Sequence, residues 1–109
     1  MTPRPPDLLI DVATPLGITV RCTEPWWRQI AEVKHPAMNG RLAEVVQTLA
    51  DPDEIRRSRK ATDVLLFYRG ERPRWVCVVT RVTGSEGFVV TAYPTDAIKI
   101  GDVIWKRSA

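Results

Sequence analysis

From Val64 to Tyr93 the chain consists of three runs rich in Val, Phe, Tyr, Trp and Thr: Val64–Arg69, Arg74–Val82 and Phe88–Tyr93. Two breaks separate them, Arg69-Gly70-Glu71-Arg72-Pro73 and Thr83-Gly84-Ser85-Glu86-Gly87. β-Branched and aromatic residues suit a pleated surface, and the breaks carry turn chemistry. The spacing predicts three strands in an antiparallel meander. A last short strand is expected at Val103-Ile104-Trp105, after Gly101-Asp102.

Before Asp63 the period is helical. Residues 18–22, ITVRC, read as a short strand, after which Thr23 offers an N-cap, Glu24 lies in the first turn and Pro25 suits a helix start. Trp26, Ile30 and Val33 recur at i, i+4 and i+7, giving one apolar stripe. This helix should stop at His35, because Pro36 disfavours the α conformation in the residue before it. Asn39 is the expected cap of a second helix, whose Leu42, Val45, Val46 and Leu49 have half-buried spacing. Asp51-Pro52-Asp53 should end it, and 54–60 reads as a charged connection.

Four of the nine prolines lie in the first fifteen residues, so 1–17 is expected to be an extended leader, with Leu8–Val12 a candidate edge strand. Residues 18–105 should form a single domain and 106–109 a tail. Helices followed by strands with short links predict an α+β fold: two N-terminal helices packed on one face of an approximately four-stranded antiparallel sheet. Alternation would turn Phe88, Val90 and Ala92 toward the helices and Val89, Thr91 and Tyr93 away from them.

A chain of 109 residues with 44% hydrophobic content supports one core and not two. No apolar run approaches the roughly 20 residues of a membrane span, and the start lacks a signal-like apolar segment, so a cytoplasmic protein without a membrane partner is expected. Cys22 and Cys77 stand singly inside apolar runs and read as small buried hydrophobes. With one histidine and no cysteine cluster, neither a metal site nor a cofactor is expected. GxxxxGK[ST], GxSxG and GxGxxG are all missing, which removes support for nucleotide hydrolases, α/β-hydrolases and dinucleotide enzymes.

Net charge is only +3, yet Arg56, Arg57, Arg59 and Lys60 fall within five positions. Arginine suits bidentate phosphate recognition, and such a patch can hold a polyanion or simply face solvent. His35 is the one imidazole, a group that exchanges protons near neutrality. Thr91 and Tyr93 set two hydroxyls on one strand face, and Lys99 adds a later cation. One reaction type uses these parts together. Metal-free RNA cleavage needs a base for the ribose 2′-hydroxyl, an acid for the leaving 5′-oxygen, and cations and donors around the phosphorus.

Several segments in this order resemble the phage-type members of the barnase–EndoU–colicin–RelE (BECR) nuclease fold. They are KHP (34–36), LAEVVQTLADPDEIRRS (42–58), VLLFYRG (64–70), WVCVVTRV (75–82) and VVTAYPTDAIKIGDVIW (89–105). The resemblance implies helices packed on a four-stranded antiparallel sheet and a metal-independent endoribonuclease acting as a toxin or phage-derived effector. Its partners would be RNA and a cognate antitoxin or immunity protein. Its site positions fall on His35, on Arg56 or Ser58, and on Thr91 and Tyr93, with roles that differ among members of the fold. In catalysis we expect His35 as general base or acid, Arg56 on the scissile phosphate, and Thr91 and Tyr93 as donors to its oxygens. Ser58, Arg59, Lys60 and Lys99 would hold substrate. A non-catalytic RNA- or protein-binding module on the same fold is the alternative reading.

Overall fold

The three alternating runs lie at the centre of a larger sheet. The computed structural model describes residues 7–71, 73–99 and 101–108. Residues 1–6 of the expected leader, Arg72 of the first turn, Ile100 before the last strand and Ala109 of the tail lie outside them. Chain order is β1 (Leu8–Ala13), β2 (Thr19–Thr23), α1 (Glu24–Arg28, continued as a π-helical turn over Gln29–Lys34), α2 (Leu42–Ala50), β3 (Glu54–Arg57), β4 (Val64–Glu71), β5 (Arg74–Thr83), β6 (Glu86–Thr95) and β7 (Asp102–Lys106). The spatial order is β1-β2-β6-β5-β4-β3-β7, and every neighbouring pair is antiparallel except β2 with β6.

This seven-stranded mixed sheet with two short helices corrects the expected layout of two helices on four antiparallel strands. Two of the added strands have identifiable reasons. β1 takes up the candidate edge strand at Leu8–Val12 within the segment read as a leader; its Ile10 is buried in the core, and β1 closes the β2 side of the sheet. β3 occupies what reads as a charged connection. Ile55 is its one apolar residue and is fully buried, while Glu54 and Arg56 turn to the other face and pair with each other. A strand with one apolar position in four gives no alternation to read.

The first helix also departs from its expected stripe. Beyond Arg28 the backbone winds with i→i+5 bonds, shown by the His35 N–H donating to the Ile30 carbonyl at 2.8 Å. The wider turn buries Trp27, Ile30 and Ala31 and leaves Trp26 39% and Val33 65% exposed. Thr23 does stand at the N-cap position, without a side-chain cap bond. For α2 the N-cap is Arg41 instead of Asn39, because the chain turns at Gly40 with φ +81° before the helix begins.

Trp27, Ile30, Met38, Val45 and Leu49 cover one sheet face, meeting Val20, Phe67, Val78, Val89 and Ala92. Along β6 the expected alternation is broken. The β5–β6 register passes from Val79↔Thr91 to Thr80↔Val89, so Val90 is the extra residue of a β-bulge. Val89 consequently joins Ala92 in the core, and Phe88 is 53% exposed. Past the bulge the alternation resumes, and Thr91 and Tyr93 face away from the helices as expected.

Gly70 is a further constraint on this sheet. Its φ is +147°, and a Cβ there would stand 2.4 Å from the Arg74 carbonyl oxygen and 2.8 Å from the Trp75 Cα. Both are backbone atoms, so the hairpin itself must move. Gly70→Ala is expected to lower unfolding free energy by about 2 kcal/mol. Urea unfolding checks this, and an unchanged midpoint would show the β4–β5 turn to be freely deformable.

Candidate functional site

The face away from the helices is organised in cross-strand rows. One row runs Glu54–Tyr68–Cys77–Tyr93 across β3, β4, β5 and β6, and the next runs Arg56–Leu66–Val79–Thr91. Leu66, Tyr68 and Cys77 form a small second core, against which Trp75, Val79, Tyr93 and Ile98 pack.

His35 reaches this face around the edge of β6. On β6, β2 pairs with Glu86, Gly87 and Phe88, and among the described residues β6 has no strand neighbour on that side from Val89 onward. Helix α1 and its π-helical turn fill the gap. Trp26 Nε1 donates to the carbonyl of the bulged Val90 at 3.1 Å, and the Lys34 ammonium lies 4.9 Å over the Trp26 ring. The turn ends with the half-buried His35 ring 5.3 Å from the Tyr93 ring, tilted by 39°. Among the described residues, neither imidazole nitrogen has a hydrogen-bond partner.

Lys99 arrives from the other direction, on the segment that leads from β6 to β7. Its ammonium lies 5.1 Å from the centre of the same Tyr93 ring. Its backbone N–H donates to the Tyr68 hydroxyl at 3.1 Å, and its carbonyl accepts from Arg56 Nη1 at 3.3 Å. Among the described residues, the Thr91 and Tyr93 hydroxyl oxygens are buried without any hydrogen-bond partner.

Burial sets the protonation of the groups between. It pushes the Tyr68 phenol up to about 12, with the adjacent Cys77 adding to the effect. It pushes Tyr93 higher still, again with a contribution from Cys77, and it raises the Cys77 thiol. At neutral pH these groups stay protonated: the phenols are donors, and the thiol is no nucleophile. Among the described residues, no three His, Cys, Asp or Glu side chains are grouped as metal ligands would be.

The expected residues divide into two groups. His35 and Lys99 each lie against the Tyr93 ring, with Thr91 two residues before Tyr93 on the same face. Arg56 is three strands away, roughly 14 Å across the sheet at the usual spacing. Its guanidinium is engaged by the Glu54 carboxylate as well as by the Lys99 carbonyl. Ser58, Arg59 and Lys60 lie beyond β3 in an exposed turn. There the Ser58 Oγ accepts from the Lys60 N–H at 3.2 Å and Arg59 pairs with Asp102 at 3.1 Å.

Sequence reasoning missed Tyr68, Glu54 and Ile98. Tyr68 had a readable signal: placing VLLFYRG opposite WVCVVTRV about the Gly70 turn sets Tyr68 beside Cys77. Glu54 and Ile98 had none, because their places depend on β3 and on the return of the chain after β6.

No helix of the described residues is long and apolar enough to cross a membrane. Compared with known proteins, the chain matches no family model, no curated protein and no solved structure.

Proposed function

We propose that the protein is a metal-independent endoribonuclease, with His35, Tyr93 and Lys99 at its centre. The observation that carries this reading is the shared Tyr93 ring, which has an unpartnered imidazole and a cation against it. The reaction has the ribose 2′-oxygen attack phosphorus while its proton passes to a base. The 5′-oxygen then leaves, taking up a proton, and a 2′,3′-cyclic phosphate remains. His35 serves one of the two proton transfers, a role worth about 10² to 10⁴ in rate. The Lys99 ammonium offsets the charge that builds on the phosphate oxygens. The Thr91 and Tyr93 hydroxyls are donors without acceptors, which a phosphate oxygen would satisfy.

This reading takes its chemistry from the resemblance to BECR nucleases and not its two-helix, four-strand layout, which this chain lacks. It carries with it a toxin or phage-derived effector acting in the cytoplasm and held in check by an antitoxin or immunity protein. The second reading is a non-catalytic RNA- or protein-binding module. It is favoured by one observation, the engagement of Arg56 by Glu54, which removes a free cation from the site.

Cleavage separates the two. Single-stranded RNA incubated with the protein in EDTA should yield fragments ending in cyclic phosphate. Tyr93→Phe should cut about tenfold to a hundredfold more slowly, the value of one hydrogen bond to a charged group, while unfolding at the same urea concentration. Absence of cleavage by the folded protein, or equal rates for both proteins, would leave the binding module as the reading.

A further inference from the structure

A lightly tied-down segment shares the face that carries the two buried hydroxyls, with Ile98 and Tyr93 packed on the same cluster and Lys99 against the Tyr93 ring. Residues 96–99 leave the end of β6 through a small closed turn, in which the Thr95 hydroxyl donates to the Ala97 carbonyl at 2.9 Å and accepts from the Ala97 N–H at 3.2 Å. At the far end Gly101 lies close against β3, where a Cβ would stand 2.9 Å from the Arg57 carbonyl oxygen. Between these fixed ends the segment crosses the face that carries Tyr68, Cys77 and Tyr93. Among the described residues, its polar ties to the sheet are the Lys99 N–H to the Tyr68 hydroxyl and Arg56 to the Lys99 carbonyl. Ile98 packing on the Leu66–Tyr68–Cys77 cluster is the apolar tie.

We infer that residues 96–99 are a strap over the Thr91 and Tyr93 hydroxyls, that a phosphodiester reaches those hydroxyls only when the strap lifts, and that Arg56 latches the strap while it is down. The energetics favour such a device. The Thr91 hydroxyl has lost its water hydrogen bonds and gained none, and the Tyr93 hydroxyl has only the weakly accepting Cys77 sulfur beside it, which works against the closed arrangement. A closed form held by two hydrogen bonds, one isoleucine and the Lys99 ammonium over the Tyr93 ring opens far more readily than the core strands beneath it. Lifting also carries Lys99 off the Tyr93 ring and releases Arg56 from the Lys99 carbonyl, so the Lys99 ammonium meets the phosphate only when the strap closes again over it. The phosphodiester as occupant rests on the ribonuclease reading; the motion of the strap does not.

Cys77 reports the motion, since it is fully buried under this face, and Cys22 is an internal control in the opposite core. Wild-type protein, Tyr68→Phe and Ile98→Ala are treated with iodoacetamide, and alkylation of each cysteine is followed by peptide mass spectrometry. Losing one tie should speed Cys77 labelling about tenfold, with Cys22 unchanged in the same samples. Ile98→Ala removes no hydrogen bond to Cys77, so its acceleration reports loss of the burial that also holds the thiol up. Cys77 labelling unchanged in both variants overturns the strap, and so does parallel acceleration of Cys22, which marks global unfolding. RNA cleavage is measured on the same proteins. Selective Cys77 opening without cleavage supports the strap and removes the ribonuclease reading; cleavage with Cys77 equally protected throughout does the reverse.

Discussion

RNA cleavage in EDTA is expected to fall about 10²- to 10⁴-fold when His35 is replaced by alanine, with the protein still folded. The fold has little invested in this imidazole. Its ring meets Tyr93 at 5.3 Å, a contact worth about 0.5–1.5 kcal/mol. The structural work at this position is done by the backbone instead: the N–H donates to the Ile30 carbonyl at 2.8 Å, and the carbonyl accepts from the Met38 N–H at 2.8 Å. Alanine keeps both bonds. A catalytic loss with nearly unchanged urea unfolding therefore points to the proton-transfer role, and imidazole added to the buffer should restore part of the rate. Activity within threefold of wild type would remove His35 from the mechanism, and with it the site as drawn.

The largest expected loss of stability comes from Arg56. Glu54 is a buried carboxylate, its side chain 9% exposed, and among the described residues its partner is the Arg56 guanidinium. Removing one member of such a pair leaves a charge without water or counter-charge, and Arg56→Ala should cost about 3 kcal/mol. Neutralising the other member as well should return most of that. The Glu54→Gln, Arg56→Ala double variant is therefore expected to be more stable than Arg56→Ala alone, giving a clear coupling in a double-mutant cycle. If Arg56→Ala costs less than about 1 kcal/mol, the pair behaves as a solvated surface bridge. The same cycle bears on function. A cleavage defect that survives in the stabilised double variant belongs to phosphate contact, whereas one that disappears there came from unfolding.

The meander was readable because β4, β5 and β6 are rich in β-branched and aromatic residues and are bounded by residues 70–73 and 84–87. α2 was readable for the corresponding reason, its apolar residues falling at 42, 45, 46 and 49. Other features carried no comparable signal. The π-helical turn changes the period midway through one helix, so the Trp26–Ile30–Val33 stripe points to a face that the backbone does not keep. The bulge at Val90 inserts one residue and exchanges Phe88 for Val89 in the core. β3 is short and charged, and becomes a strand through partners on both sides, Leu65–Tyr68 and Asp102–Lys106.

The candidate site shows the same division. The presence of one imidazole, a Thr and a Tyr on one strand face, and a cation soon after them follows from local residue order. Local order also decides that Thr91 and Tyr93 face together, because the bulge lies before both of them. That His35 meets Tyr93 was decided by β2 ending early beside β6, which opened an edge for the π-helical turn to fill. That Lys99 meets the same ring was decided by the return of the chain toward β7, and that Arg56 does not was decided by the width of the sheet and the burial of Glu54. Side-chain periodicity is a property of neighbouring residues, so the sequence alone determined the central strands and, past the bulge at Val90, the shared face of Thr91 and Tyr93. Convergence depends on where distant segments stop and what fills the space they leave, and only the tertiary structure decided that.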